Sequence, residues 1–183
     1  MKKTLALFLV AVLALGIVGC ASADTVGLGS VTSIGSVKDA SVVDGENYDG
    51  QAQVNNTICT VRLGEDGKVA YVKFDVTQTK IAFSVEGKVV TDTAAEILTK
   101  MEKGEAYGML KASSIGKEWY EQIAAFENWC IGKTPDEVLG IKTYDKGDGS
   151  HTAVPDVEEL KASCTITVGD YLAAFKKAVA NAK

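Results

Sequence analysis

Residue types that carry common enzyme chemistry are scarce in this chain. Of its 183 residues, His151 is the single histidine and Arg62 is the single arginine. The sequence contains no His-Glu-x-x-His, no Cys-x-x-Cys and no Gly-x-Ser-x-Gly, the spacings typical of zinc proteases, cysteine redox or metal sites and serine hydrolases. Most metal and catalytic-triad chemistry is therefore excluded, and we expect His151 to be a solvated loop residue.

Positive charge is also sparse, which bears on the kind of partner. Lys and Arg total 19 against 24 Asp and Glu, so the net charge is −5. Because no dense basic cluster occurs, nucleic acid is not an expected partner. The acidic loop at residues 144–155 departs from the EF-hand spacing and lacks its closing glutamate, so we expect no metal there.

Cysteines number four, and three of them fall inside the region where a folded domain is expected: Cys59, Cys130 and Cys164. Outside the cytoplasm two of the three can pair in any of three ways and leave one thiol. In an anaerobic compartment all three can instead be reduced, buried and small hydrophobic side chains. The sequence does not choose between these alternatives.

The first twenty residues have the pattern of a lipoprotein signal peptide. Lys2 and Lys3 precede an apolar run at residues 5–18, and small and apolar residues lead into Cys20. We predict a signal peptide at residues 1–19, a lipidated tether at 20–26 and a single domain at 27–183. Acyl chains such as palmitate on Cys20 would hold the domain on the extracytoplasmic face of the cell membrane. The alternative is an ordinary signal peptide in which Cys20 has no role.

In the first half of the domain, apolar and polar residues alternate and turn sequences recur, a pattern typical of β-strands. Residues 27–37 repeat Gly-Ser-Val but lack the lysine of a phosphate loop and the third glycine of a dinucleotide fingerprint. We therefore expect a β-hairpin or a Gly-rich strand there. Two hairpins should follow, with turns at residues 64–67 and 86–87.

The second half has helical signals. We predict helices at residues 94–103 and 115–131, with Trp119, Phe126 and Trp129 on one buried face. A short helix should follow a capping box that begins at Thr134, and a last helix should begin at Asp170 as N-cap. The predicted fold class is α+β: a twisted, mainly antiparallel sheet with the Trp119 helix and the C-terminal helix packed on it.

Two threonines, Thr165 and Thr167, stand just before the C-terminal helix, where helix N–H groups can bind a phosphate. In this segment the chain resembles the FMN-binding domain of bacterial extracytoplasmic flavoproteins, such as the C subunit of the sodium-pumping NADH:quinone reductase. That domain closes with Asp-x-x-Ser-Gly-Ala-Thr-x-Thr/Ser, and FMN is attached to the first threonine through its phosphate. Glu159 falls at the Asp, residues 162–164 fall at Ser-Gly-Ala, and Thr165 falls at the acceptor.

A second segment strengthens this resemblance. The FMN-binding domain opens with Asp-Gly-x-Tyr-x-Gly, a strand and an Asp-Gly-Lys hairpin. Tyr48 and Gly50 match the first motif, residues 66–68 match the hairpin, and the first Asp-Gly stands one residue farther away as Asp44-Gly45. The two segments together bracket most of the domain.

The resemblance implies an FMN-binding electron-transfer module, with other extracytoplasmic redox proteins as partners. The implied cofactor-binding residues are Ser163, Cys164, Thr165, Thr167 and Asp170. Since Glu159, Ala162 and Ser163 depart from the attachment motif, non-covalent or absent flavin is favoured over an ester on Thr165. Whether the protein is an enzyme stays open; a flavin-dependent electron carrier is favoured over a hydrolase. The alternative function is a surface binding or structural lipoprotein that keeps the fold without flavin.

Overall fold

A computed structural model describes residues 24–183, which form an α+β fold as the sequence predicts. The predicted signal peptide, Cys20 and most of the predicted tether lie outside the described residues. The strands are β1 (Thr25–Lys38), β2 (Ser41–Val43), β3 (Glu46–Tyr48), β4 (Gly50–Leu63), β5 (Val69–Phe83), β6 (Thr143–Tyr144) and β7 (Val154–Pro155). The helices are α1 (Lys100–Lys103), α2 (Trp119–Cys130), α3 (Pro135–Leu139) and α4 (Gly169–Ala180), with 3₁₀ turns at Gly104–Tyr107 and Glu158–Leu160.

Three long strands make the main sheet, in the order β1-β4-β5 and antiparallel throughout. The predicted hairpin turn at residues 64–67 is confirmed: the Gly64 N–H donates to the Lys68 carbonyl at 2.8 Å, and Gly67 has a φ of 73°. A second, shorter hairpin brings Val89 opposite Phe83, also as predicted. The Gly-rich segment is a strand, not a hairpin, and β1 begins at Thr25, two residues before the predicted domain boundary.

One face of this sheet carries the hydrophobic core. Alternate residues of β4 and β5, including Cys59, Val61, Val72, Phe74 and Val76, are buried. Helices α2 and α4 cover them with residues that include Trp119, Ile123, Phe126, Tyr171 and Phe175. Trp119 and Phe126 are buried as predicted, whereas Trp129 is only partly buried and stacks on Phe126 at 6.1 Å between ring centroids.

Helix α4 packs on β1 with almost no space between the two backbones. A Cβ on Gly27 would lie 1.9 Å from the Ala178 carbonyl oxygen, and one on Gly29 would lie 2.1 Å from that of Ala174. Glycine at these positions is therefore needed for the approach of the helix. This contact gives the Gly-rich strand a structural role.

The free edge of β1 is covered by the same helix. The Leu28 carbonyl accepts from Asn181 Nδ2 at 3.0 Å, and the Ser30 carbonyl accepts from Lys177 Nζ at 2.8 Å. Val26 exchanges two backbone hydrogen bonds with Lys183. Because these backbone groups already have hydrogen-bond partners, this half of the β1 edge is not available to pair with another strand.

Two predicted helices begin later than the sequence indicates. The helix predicted at 94–103 is reduced to α1, because Thr99 pairs with Thr77 at the edge of β5 and then caps α1 through a capping box with Glu102. The helix predicted from residue 115 begins at Trp119, because Gly116 has a φ of 62°, outside the helical region. The capping box at Thr134, the short helix α3 and the end of α2 before Gly132 are confirmed.

Candidate functional site

A polar cavity of about 300 Å³ lies where α4 begins, on the helix side of the main sheet. Its walls come from β4, β5, α1, the loop before β7 and the start of α4. The lining residues are Asn55, Thr57, Val76, Gln78, Lys100, Thr152, Thr167, Gly169, Asp170 and Tyr171. Two of the predicted cofactor-binding residues, Thr167 and Asp170, are among them.

The N-terminus of α4 at this cavity is not capped by a side chain. Val168, not Asp170, is the N-cap residue, so that prediction is wrong. Asp170 lies in the first turn, and its carboxylate accepts a hydrogen bond from Ser33 Oγ at 3.1 Å. The first-turn N–H groups of an α-helix have no acceptor within the helix and carry the positive end of its dipole. Space is available beside them, since a Cβ on Gly169 would meet only Ala153, at 3.8 Å.

Lys100 supplies a positive charge to the same cavity. Its ammonium lies 4.8 Å from the centre of the Tyr107 ring and 5.4 Å from that of Trp119. Burial, and to a smaller extent the neighbouring Lys103, lowers the Lys100 pKa to about 8, with Asp75 opposing the shift. An ammonium held against aromatic rings in a polar cavity is suited to bind an anion.

Tyr171 forms an ordered wall of the cavity. Its hydroxyl oxygen accepts a hydrogen bond from Trp119 Nε1 at 2.9 Å, and its ring packs edge-on against Phe74. Burial raises the Tyr171 pKa, so the phenol stays protonated. The cavity wall is therefore rigid and uncharged on this side.

Thr165, the predicted flavin acceptor, lies in a different place. With Cys164 it lines a separate cavity of about 390 Å³ between β6, β7 and residues 156–165. Its N–H donates to Gln122 Oε1 at 2.8 Å, its hydroxyl contacts the same oxygen at 3.2 Å, and its carbonyl accepts from Lys146 Nζ. The hydroxyl and both backbone groups of Thr165 are thus engaged within the protein.

The remaining predicted site residues are not gathered at one point. Ser163 lines neither of these two cavities, and its hydroxyl is within hydrogen-bond distance of the Glu159 and Leu160 carbonyls. Cys164 is fully buried, and burial raises its thiol pKa to about 12. Of the five residues, the structure brings only Thr167 and Asp170 to the cavity that contains Lys100.

Comparison with known proteins gives one relevant similarity. A segment of 80 residues, 43% of this chain, is 50% identical to a chlorophenol reductase from Desulfitobacterium hafniense. The aligned segment covers 24% of that protein, so the chain spans about a quarter of its length. No family model and no solved structure matches the chain. The similarity associates part of this chain with a redox enzyme.

Sequence reasoning missed Lys100 and Gln122. Gln122 is buried, and besides holding Thr165 its amide donates to Ser113 Oγ at 3.0 Å and to the Lys117 carbonyl at 3.1 Å. Its position three residues after Trp119 on the buried face of a helix was an available signal, since a buried amide needs partners. Lys100 gave no such signal, because only the tertiary fold brings it to α4.

Other charged groups in the described residues give no comparable support for a functional site. Within residues 24–183, no group of three or more His, Cys, Asp or Glu side chains is placed to hold a metal ion. His151 is a half-exposed loop residue whose ring contacts the Asp148 carboxylate, as expected of a solvated histidine. No helix in this part of the chain is long and apolar enough to cross a membrane.

Proposed function

We propose that this chain is a lipid-anchored extracytoplasmic protein that binds FMN without a covalent bond and transfers electrons to other redox proteins. The observation that carries the proposal is that Thr167, the uncapped start of α4 and Lys100 line one cavity. Similarity of part of the chain to a reductase supports the redox role.

The residues present fit the phosphate end of FMN. Helix N–H groups and the positive end of the dipole stabilise a phosphate, and Lys100 adds a full charge. Gly169 leaves room for close approach, and the Thr167 hydroxyl is a further donor. The amides of Asn55 and Gln78 can orient polar edges of the ligand. FMN, when bound, supplies the one- or two-electron chemistry.

Affinity for FMN tests the cavity directly. Titration of the purified protein should quench flavin fluorescence, and Lys100→Met should weaken binding by about 10- to 100-fold, the value of one charged hydrogen bond. Lys176→Met is a matched control, because Lys176 is exposed on α4 and does not line the cavity. Absence of quenching, or equal loss in both variants, would remove support for this site.

The mode of attachment has its own test. With a flavin transferase co-expressed, the protein band on a denaturing gel should stay dark under ultraviolet light, because the Thr165 hydroxyl is engaged by Gln122. A fluorescent band that disappears in Thr165→Val and persists in Thr167→Val would instead place an ester on Thr165.

Lipid anchoring is tested at Cys20, which lies outside the described residues. Cys20→Ala should release the protein from the membrane fraction or leave it as the precursor, because no acyl chains can then be attached. A wild-type mature chain that begins elsewhere, or carries an unmodified Cys20, would contradict the anchor.

A surface binding or structural lipoprotein without flavin is the second candidate. The departures at Glu159, Ala162 and Ser163 favour it, together with the engagement of Thr165 by Gln122. Absorption at the flavin bands in protein purified from its native host separates the two functions. Protein without these bands and without FMN affinity would favour the second.

A further inference from the structure

The main sheet has an outer face that neither α2 nor α4 covers. It carries exposed apolar side chains at both ends: Val26 and Leu28 near the start of β1, and Ile34 and Ile81 toward the other end. Val26 and Leu28 are 53% and 61% exposed, and Ile58 and Tyr71 are 38% and 43% exposed. Alternation along the strands and the register Val26–Arg62–Tyr71 place these side chains on one face. We call Val26, Leu28, Ile58 and Tyr71 the anchor-end patch.

The position of the patch relative to Cys20 limits what can cover it. Four chain steps join Cys20 to Asp24, so their Cα atoms are at most about 14 Å apart. Asp24 is directly bonded to β1, and its carboxylate pairs with Arg62, which stands between Val26 and Tyr71 across the sheet. A lipid on Cys20 therefore holds this end of the sheet close to the headgroup layer.

The chemistry of the patch suits a membrane surface. Aliphatic side chains and a tyrosine lie beside Arg62, which is 43% exposed and pairs with Asp24. Lys73 of β5, 52% exposed, is on the same face, and its ammonium pairs with Glu127 of α2. Aromatic and long basic side chains are typical of residues at the membrane–water boundary. The free edge of β1 next to the patch is occupied by Lys177, Asn181 and Lys183, so pairing with a strand of another protein is disfavoured there.

We propose that the anchor-end patch lies on the membrane that holds the lipidated Cys20, so that the sheet rests on the lipid surface. This inference rests on the lipid anchor of the proposed function and not on FMN. The cavity at the start of α4 lies on the helix side of the sheet, which this orientation turns toward the aqueous phase. Redox partners would then reach the cavity without displacing the domain from the membrane.

Photolabelling from the lipid tests this orientation. The mature lipidated chain is reconstituted into phosphatidylethanolamine–phosphatidylglycerol vesicles that contain a trace of a diazirine-bearing phospholipid. After irradiation, mass spectrometry should find label on peptides from β1 and β5. Leu28→Asp should reduce that label several-fold while the chain stays on the vesicles. The control is Leu110→Asp, at a residue 50% exposed in the loop before α2, and it should leave the label unchanged.

The outcomes separate this proposal from the others. A chain that stays on the vesicles but carries label only before Thr25, or only on helix-side peptides, would overturn the orientation and leave the anchor intact. Label on β1 that is unchanged in Leu28→Asp would also overturn it. Chemical cross-links between the β1 segments of two chains, without lipid label, would replace the membrane by a second copy. A chain that does not remain on the vesicles would contradict the anchor and this inference together. FMN titration on the same samples is independent of all four results.

Discussion

At the scale of single residues, three buried polar side chains of α2 and its N-cap fix the segments around them. The Glu118 carboxylate accepts from the N–H groups of Met109 and Leu110 at 2.9 and 2.8 Å. Gln122 holds Thr165, and Glu127 accepts from the Phe74 N–H at 2.8 Å and pairs with Lys73. Because each buried acceptor is satisfied, α2 positions a loop, the threonine segment and the edge of β5 at once.

Phe126 is the residue whose loss should disturb the core most directly. It is fully buried, and its ring stacks on Phe74 at 5.7 Å between centroids. Phe126→Ala should lower the free energy of unfolding by about 3–5 kcal/mol, since it removes apolar contacts and leaves a cavity. Urea denaturation measures this change. Leu110→Ala, at an exposed residue, should change it by less than about 0.5 kcal/mol, and a similar effect of both variants would contradict the burial of Phe126.

Because the Lys100 pKa is lowered, its contribution should make the free energy of unfolding rise as the pH increases above about 8. Its pKa is lowered from 10.5 to about 8, so between these values the unfolded chain binds this proton more strongly than the folded one. The cost of burying the charge is therefore present below pH 8 and disappears as the pH approaches 10.5.

The comparison with Lys100→Met isolates this effect from the titration of cysteines and tyrosines. The variant should gain stability relative to wild type at pH 7, and the gain should shrink between pH 8 and pH 10.5. Urea midpoints across that range measure the difference. A gap that stays constant with pH would show that the Lys100 ammonium is not desolvated.

At the scale of elements, the contact of β1 with α4 depends on the absence of side chains. Gly29→Ala would place a Cβ 2.1 Å from the Ala174 carbonyl oxygen and 2.4 Å from the Ala178 nitrogen, both backbone atoms that cannot rotate away. We expect the free energy of unfolding to fall by about 1–3 kcal/mol or more, as in overpacked cores.

Gly169→Ala provides the matched control for that substitution. It makes the same chemical change at the start of the same helix, where a Cβ meets only Ala153 at 3.8 Å. Its stability should stay the same or rise slightly, by up to about 1 kcal/mol, because alanine restricts the unfolded chain. Thermal unfolding of the two variants checks the contrast, and equal destabilisation would mean that the β1–α4 contact is looser than described.

Elements with a local signal were predictable from the sequence, and those that tertiary contacts decide were not. The Asp66-Gly67 turn and the Thr134 capping box each contain their own partners within a few residues, so the pattern determined them. The segment at residues 94–99 has helical spacing but is irregular up to Thr99, which pairs with Thr77 of β5 instead of continuing a helix.

The candidate site was predictable only in part for the same reason. The motif before α4 identified Thr167 as facing a helix start, which needs only local sequence. It could not show that the Thr165 hydroxyl contacts Gln122, 43 positions away along the chain, or that Lys100 of α1 lines the cavity of Thr167. Contacts between residues so far apart in the chain produce no recognisable spacing pattern in a single sequence.

At the scale of the whole molecule, the two ends of the described chain are joined. Val26 and Lys183 exchange backbone hydrogen bonds, and α4 packs on both β1 and β4. The core also takes residues from the hairpin β4–β5, from α2 and from α4. No described segment buries this core alone, so we expect residues 24–183 to unfold as one cooperative unit.

The three domain cysteines provide a measure of that cooperativity. Cys59, Cys130 and Cys164 are free thiols with no exposed surface, one on β4, one at the end of α2 and one before α4. Burial raises the thiol pKa of Cys130 and Cys164 to about 12 and that of Cys59 still higher. Since the thiolate is the reactive form, all three should resist a water-soluble maleimide in the native protein. In urea below the midpoint, peptide mass spectrometry should find the three labelled at one common rate, which is the rate of global opening. A disulfide between any two would contradict the three free thiols. Early labelling of Cys164 alone would show that the threonine segment opens separately from the sheet.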